Sequence, residues 1–235
     1  MGTTLQQQLD GLLDRALPDQ NPGPCPADAT PQARYEHLEA TRLHLSQALA
    51  ADLALTMRMA DDLLPLLALD DNLTSQLAFP LIAALGRRPV LTHLIDHART
   101  GSWPTRAGAC AAAYWVSVWR PTTRRDEIIA TARSGTLPVE QARTLLLQDQ
   151  QHPNWRPNDH ISDLWPHLWK AAAETFVHCQ DDELRQRLQT AFPLDADRYP
   201  PEHSPLLGQA RLIAEDRSHL FDRLLTHRTG YGIAI

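Results

Sequence analysis

Apolar residues recur along most of this chain at intervals of three and four, the spacing that places them on one face of an α-helix. No segment sustains the alternation of apolar and polar residues that is typical of a β-strand, so the pattern predicts an all-α fold. The predicted single helices cover 4–17, 32–59, 161–179, 181–192 and 205–227, and the predicted helix pairs cover 60–86, 88–119 and 122–150.

Polar and proline-rich segments interrupt these helical patterns at three places. Residues 18–31 carry five prolines and a glycine, which predicts an irregular connection. Residues 152–162 and the segment that begins at Pro193 are also rich in proline and polar residues. We therefore expect the helices to be separated by loops there.

Two sixteen-residue segments, 94–109 and 128–143, share a pattern with a step of 34 residues, and five of their sixteen aligned positions are identical. In the first copy, Arg99 is predicted in a last helical turn, and Gly101 is suited to the left-handed position that ends a helix. Ser102 can then cap the next helix, and Pro104 fits its first turn. The second copy carries Arg133, Gly135, Thr136 and Pro138 at the matching positions. Each copy therefore predicts a tight joint between two helices.

A looser version of this pattern lies upstream, and here the chain resembles the HEAT-repeat family. The resemblance is carried by the Leu-Leu-Pro-Leu-Leu run at 63–67, Asp70-Asp71, and the Ala84-Leu85-Gly86 ending. Arg106 and the alanine-rich run 107–113 look like the start of a second helix B. The match covers roughly residues 60–150, and it departs from the pattern at Gln76 and Gln141, where an arginine is usual.

This resemblance implies a right-handed α-solenoid in which stacked helix pairs bury one another's apolar faces. The whole chain, 1–235, would form one domain, with helix-pair repeats over 60–192. Residues 1–59 and 193–235 would cap the two ends. Such a stack presents a concave surface of B helices, so we expect a non-catalytic module that binds a protein or peptide, as an adaptor or an immunity-type protein that masks its partner. A purely structural, self-associating protein is a further alternative.

The composition adds limits on function and location. With 43% hydrophobic and 21% charged residues, and an uncharged run of at most 15 residues (72–86), the sequence predicts a soluble protein without a membrane span. The first residues lack the features of a signal peptide, so a cytoplasmic location is expected. Three scattered cysteines, Cys25, Cys110 and Cys179, favour neither a disulfide framework nor a zinc site.

The net charge of −6 argues against a protein that binds nucleic acid through its phosphates. The competing interpretation is an enzyme, since the size and helical repeats are similar to the alkyl-purine DNA glycosylases built from HEAT-like repeats. In that interpretation Trp115, Trp119 and Asp126 would supply the aromatic and acidic groups.

Tryptophan and arginine residues are the candidate partner-binding groups, because these two side chains dominate protein interfaces. Trp103 is expected at an exposed turn, whereas Trp115, Trp165 and Trp169 are expected in the core. Two arginine pairs in comparable turns, 87–88 and 124–125, are interpreted either as solvated turn residues or as a ladder along one edge that engages an acidic partner. The candidates are Trp103, Arg106, Trp119, Arg120, Arg87, Arg88, Arg124 and Arg125.

No catalytic, metal-binding or cofactor-binding residue is predicted. The sequence has no GxSxG, P-loop or GxGxxG motif, and Cys110 lies among alanines like a small core residue. The string His93-Leu-Ile-Asp-His97 resembles the HxxEH signature of inverzincin metallopeptidases, with Glu174 as a possible third ligand. However, the apolar stripe of this helix predicts that both histidines face solvent.

Overall fold

The computed structural model describes residues 5–17, 23, 25–26, 28–69, 75–119, 128, 131–132, 134–150 and 161–226. These residues form helices, turns and bends, with no strand among them, so the predicted all-α class is confirmed. Within the same ranges, no helix is both long enough and apolar enough to cross a membrane. The helices are α1 (Leu5–Ala16), α2 (Pro31–Ala51), α3 (Leu53–Arg58), α4 (Ala60–Leu69), α5 (Ala78–Leu85), α6 (Arg87–Thr100), α7 (Trp103–Val118), α8 (Val139–Gln150), α9 (Trp165–His178), α10 (Asp182–Arg187), α11 (Ser204–Asp216) and α12 (Ser218–Thr226), with two 3₁₀ turns at Ala196–Arg198 and Pro201–His203.

Two helices that the pattern predicts as continuous are divided. The predicted helix 32–59 breaks at Asp52, which ends α2 and begins α3, and its carboxylate accepts a hydrogen bond from the Leu55 amide at 2.9 Å. An aspartate at this position satisfies an amide that would otherwise be left free at the helix start. The predicted helix 205–227 also breaks, at Arg217 between α11 and α12.

The joint between α6 and α7 forms as the first copy of the repeated segment predicts. Ser102 is the N-cap of α7, its hydroxyl accepts from the Thr105 amide, and Pro104 lies in the first turn. Arg99 lies in the last turn of α6, also as predicted. The prediction for Gly101 is wrong, because its φ of −70° is extended backbone rather than left-handed.

Position 101 needs a glycine because a side chain would not fit there, and not because of its backbone conformation. A Cβ there would lie 2.8 Å from the carbonyl oxygen of His97 and 2.9 Å from the Cβ of Thr105. The last turn of α6 and the first turn of α7 therefore approach each other more closely than a side chain at this position would allow.

The second copy shares this design only in part. Gly135 has a φ of 75°, so the left-handed position is confirmed there. Helix α8 begins at Val139, two residues later than the first copy would place it, and the hydroxyl of Thr136 contacts that of Ser134 at 2.9 Å. Arg133 lies outside the described residues. The two copies are thus both helix joints, but with different local geometry.

Helix α7 is the centre of the described structure. From Ala107 to Ala113 every residue is buried, and the helix packs against α4, α5, α6, α9 and α10. A helix that is apolar all round needs neighbours on every side. Small side chains let those neighbours come close: at Gly108, a Cβ would lie only 2.2 Å from the backbone oxygen of Ala68 in α4.

The remaining helices extend the core in both directions from α7. Helix α2 packs against α1, α3 and α5, while α9 packs against α6, α7 and α11, and α12 packs against α10 and α11. Buried apolar side chains form one cluster that includes Leu9 in α1 and Leu224 in α12. Trp165 and Trp169 of α9 belong to it, as the sequence predicts.

A network of charged side chains joins α10 to the break between α11 and α12. The carboxylate of Asp182 accepts hydrogen bonds from Arg217, one of them at 2.6 Å, and from the buried Arg185 at 3.1 Å. Arg185 also donates to the carbonyl oxygen of Phe176 at 2.8 Å, near the end of α9. One aspartate thus helps to fix three neighbouring helix ends.

Replacing Asp182 with asparagine is expected to lower the free energy of unfolding by about 1 kcal/mol at pH 7, since the network is partly exposed. Burial alone would raise the pKa of Asp182, but the hydrogen bonds from Arg185 and Arg217 outweigh it and hold this pKa below its usual value of 3.8. Because the pKa is lowered in the folded state, the stabilisation is present above pH 4 and is lost as the pH falls further.

Urea unfolding of both proteins between pH 7 and pH 3 tests this expectation. The difference between wild type and Asp182→Asn should shrink towards acid pH. Asp216→Asn is the matched control, because Asp216 adjoins Arg217 but is exposed and lies 3.9 Å from it. Equal losses of unfolding free energy for both variants, or a difference from wild type that does not change with pH, would show that the Asp182 network does not stabilise the fold.

Candidate partner-binding surface

The α6–α7 joint places an aromatic ring and a guanidinium together at the surface. Trp103 opens α7 and is 40% exposed, as the sequence predicts. The Cζ of Arg106 lies 4.8 Å from the centroid of the Trp103 ring, and the Nε of Arg106 donates to the carbonyl oxygen of Gly101 at 2.8 Å. This cation–π contact and the hydrogen bond hold both side chains in place before any partner arrives.

The placement of Arg87 corrects the expectation of an exposed arginine pair. Its side chain is only 4% exposed, and it donates to the carbonyl oxygens of Val116 at 2.9 Å and Ser117 at 3.1 Å. Both carbonyls lie in the last turn of α7, where a helix has acceptors without partners of its own. Burial lowers the pKa of Arg87 to about 10, so the group stays cationic at pH 7. Arg87 thus stabilises the fold and offers nothing to a partner.

Arg88, the next residue, points to the surface and pairs with another helix end. It donates to Asp163 at 3.0 Å, and both side chains are at least half exposed. The hydrogen bond from Arg88 lowers the pKa of Asp163, and the same contact raises the pKa of Arg88. The two residues of the predicted pair therefore face different ways. Arg124 and Arg125, the other predicted pair, and Arg120 lie outside the described residues.

The other end of α7 carries a set of partly buried aromatic rings. Trp115 packs edge to face on Phe79 of α5, with ring centroids 5.7 Å apart, and against Tyr114 at 4.9 Å. Trp119 ends the helix and also packs against the core. The rings that a glycosylase would need free, Trp115 and Trp119, are thus engaged within the fold, and Asp126 lies outside the described residues.

The histidine pair of α6 is less exposed than the sequence predicts. The rings of His93 and His97 lie 4.5 Å apart, and the Nε2 atom of His93 is enclosed without a hydrogen-bond partner. Burial, together with the nearby His97, lowers the pKa of His93. Glu174 lies on α9, 3.9 Å from Lys170. Across the described ranges, no three residues of the metal-binding types come together.

Cys110 is a core residue, as its alanine-rich surroundings predict. It is fully buried in the middle of α7. Burial raises the pKa of its thiol to about 12, far above the range in which a cysteine acts as a nucleophile.

A shallow groove between α1 and α4 has no counterpart in the sequence analysis. Its volume is about 330 Å³, and an ion pair of 2.9 Å between Arg15 and Asp62 borders it. Its lining combines amide, charged and leucine side chains, and this mixture does not indicate which class of ligand would bind there.

Helices α7 and α9 share a construction that the sequence analysis also missed. Each begins with Trp-Pro, at 103 and 165, a step of 62 residues, and each continues into a buried run of alanines. A buried arginine then donates to two successive carbonyls at the end of each helix, Arg87 for α7 and Arg185 for α9. The Trp-Pro dipeptide was the signal in the sequence that could have revealed this.

No protein-family model, curated protein or solved structure matches this chain.

Proposed function

We propose that this chain is a non-catalytic helical-repeat module that binds a protein or peptide at the α6–α7 joint. The observation that carries the proposal is the exposed, fixed contact between Trp103 and Arg106. Tryptophan and arginine are the side chains most enriched among residues that dominate binding energy. Because the two are already held in place, little conformational entropy is lost on binding. The module would act as an adaptor, or as an immunity-type protein that masks its partner.

The proposal includes a right-handed, HEAT-like stacking of successive helix pairs. Two features support it. The pair α4–α5 packs against α6–α7, which packs against α9–α10, which in turn packs against α11–α12. The construction shared by α7 and α9 repeats after 62 residues, twice the step of 31 that separates the Leu64 and Ile95 patterns.

The middle of α7 is a poor binding surface, although it was expected to line a concave groove. Neighbouring helices cover it from Ala107 to Ala113, so no partner can reach it without unfolding the core. The first turn of α7 remains open. We therefore place partner binding at the joint that begins α7 and not along the length of this helix.

Replacing Trp103 with alanine is expected to reduce capture of the partner at least tenfold while leaving the fold intact. A buried interfacial tryptophan commonly contributes about 2 kcal/mol or more, which exceeds a factor of ten in affinity. The measurement is affinity capture from the native cell's lysate with the purified chain as bait, followed by quantitative mass spectrometry.

Met57→Ala is the matched control, since Met57 is 54% exposed on α3 and its loss removes a similar apolar contact elsewhere. Thermal unfolding of both variants should resemble that of the wild type. If Trp103→Ala captures the same proteins in the same amounts as Met57→Ala, the joint is not the binding surface.

A nucleic-acid function, including a glycosylase, is the competing proposal, and it predicts a different result. Duplex DNA in a filter-binding assay would bind tightly and lose affinity steeply with added salt. We expect no such binding, because the net charge of −6 opposes it and the candidate aromatic rings Trp115 and Trp119 are partly buried against the core.

A further inference from the structure

Two arginines lie within four residues of the exposed tryptophan at the α6–α7 joint, one on each side of it in the sequence. Arg99 lies exposed in the last turn of α6, and Arg106 lies one turn into α7. We call Arg99, Trp103 and Arg106 the joint surface. The joint surface is positively charged, whereas the chain as a whole carries a net charge of −6.

The charges of this surface are not neutralised within the part of the chain that the structure describes. Neither Arg99 nor Arg106 forms an ion pair there, whereas Arg15, Arg88, Arg187 and Arg198 each contact a carboxylate. The nearest carboxylate in sequence is Asp96, which lies on α6 but makes no ion pair with Arg99. Since neither arginine is paired with a carboxylate among these residues, both are available to attract an anion.

The geometry of Arg106 selects the kind of anion. Its Nε donates to the carbonyl oxygen of Gly101, and its Cζ lies over the Trp103 ring, 4.8 Å from the centroid. The two terminal nitrogens of a guanidinium carry their N–H groups in one plane, the arrangement that pairs with a carboxylate. Trp103 supplies an apolar surface beside it for a neighbouring side chain.

We infer that the partner inserts an acidic segment, aspartate or glutamate residues next to an apolar side chain, into the joint surface. This inference rests on the proposed function and specifies the chemistry of the partner. Nucleic acid is the less suitable anion, since two arginines neutralise few phosphates on a chain that is negative overall.

The test uses fluorescence anisotropy with three labelled probes: a twelve-residue peptide with four Glu-Asp-Leu repeats, its Lys-Arg-Leu counterpart, and a single-stranded DNA of twelve thymidines. We expect the wild-type chain to bind the acidic peptide, with affinity falling as salt rises from 50 to 300 mM. Arg99→Gln and Arg106→Gln should each weaken binding about threefold, and the double variant about tenfold.

Arg58→Gln is the matched control, because Arg58 is an exposed arginine in the last turn of α3. It should bind the acidic peptide like the wild type. Arg106 also donates a hydrogen bond at the end of α6, so Arg106→Gln should lower the melting temperature as well as the affinity. Arg99→Gln removes a charge without removing such a bond, and it therefore tests the effect of charge by itself. A drop in melting temperature for Arg106→Gln, with affinity unchanged in both variants, would overturn the inference.

Failure of the acidic peptide to bind, or equal binding of the basic peptide, would also overturn it, and stronger binding of the DNA would favour nucleic acid instead. These failures differ from failure of the proposed function. If capture from lysate depends on Trp103 but resists salt and both glutamine substitutions, the partner is real and its acidic character is wrong.

Discussion

Replacing Gly108 with alanine is expected to lower the free energy of unfolding by about 3 kcal/mol or more. The added Cβ would lie 2.2 Å from the backbone oxygen of Ala68, where an ordinary contact needs more than 3 Å. A backbone atom cannot rotate away as a side chain can, so α4 and α7 must separate. That separation weakens packing on the most enclosed helix of the fold. Urea unfolding followed by circular dichroism measures the change.

Gly208→Ala is the matched control for this substitution. Gly208 lies exposed within α11, and a Cβ there meets no atom within 4 Å. Since alanine is the better helix former, the control should be more stable than the wild type by about 0.5–1 kcal/mol. Similar stabilities for the two variants would mean that α4 and α7 do not approach as closely as described.

Replacing Arg87 with methionine is expected to lower the free energy of unfolding by about 2–4 kcal/mol. Methionine keeps much of the apolar volume but leaves the buried carbonyl of Val116 and the partly buried carbonyl of Ser117 without their donor. Leaving a buried polar group unsatisfied costs about 1–3 kcal/mol, and two acceptors lose their partner together. Arg87→Lys should recover part of the loss, because one ammonium cannot match the planar guanidinium.

Arg88→Met provides the comparison for that result. It removes a neighbouring arginine of the same helix turn, but one whose ion pair with Asp163 is exposed. Exposed ion pairs contribute little, so its unfolding curve should stay close to that of the wild type. If both methionine variants unfold alike, the buried hydrogen bonds of Arg87 are not what holds the end of α7.

The helical class was predictable because the apolar spacing repeats over many residues. The first joint was predictable from its capping residues, since Ser102 and Pro104 act locally. The breaks at Asp52 and Arg217 were missed because the apolar period continues across both positions. In the sequence, an aspartate that caps and divides a helix looks the same as an exposed aspartate inside a continuous helix. The two differ only in the backbone conformation around them.

Residues whose role depends on distant neighbours were predicted less well. Arg87 was expected at the surface because arginine usually is, yet the last carbonyls of α7 lie near enough to bind it. Gly101 illustrates a second limit: a glycine after a helix serves either a left-handed turn or a close approach, and the sequence does not distinguish them. His93 was predicted to face solvent from the apolar stripe of α6 alone. That stripe does not reveal that α4 packs against α6.

Trp103 was predicted at the surface because it directly follows the helix joint, and it is 40% exposed. The dipeptide Trp-Pro does not decide this by itself, since Trp165 opens α9 in the same way and is buried. The contact of Trp103 with Arg106 follows from their separation of three residues within one helix. The enclosure of α7, in contrast, required α9 and α10 to pack against it, which no local pattern specifies.

If a protein partner docks at the α6–α7 joint, as we propose, the side chain at position 103 should contact it. The most direct test is contact at that point inside the native cell, with a photo-crosslinking benzophenone side chain in place of Trp103 and, separately, in place of Met57. Docking at the joint predicts a discrete crosslinked partner from position 103 that is missing from position 57. The same crosslinked proteins from both positions, or none from position 103, would contradict it.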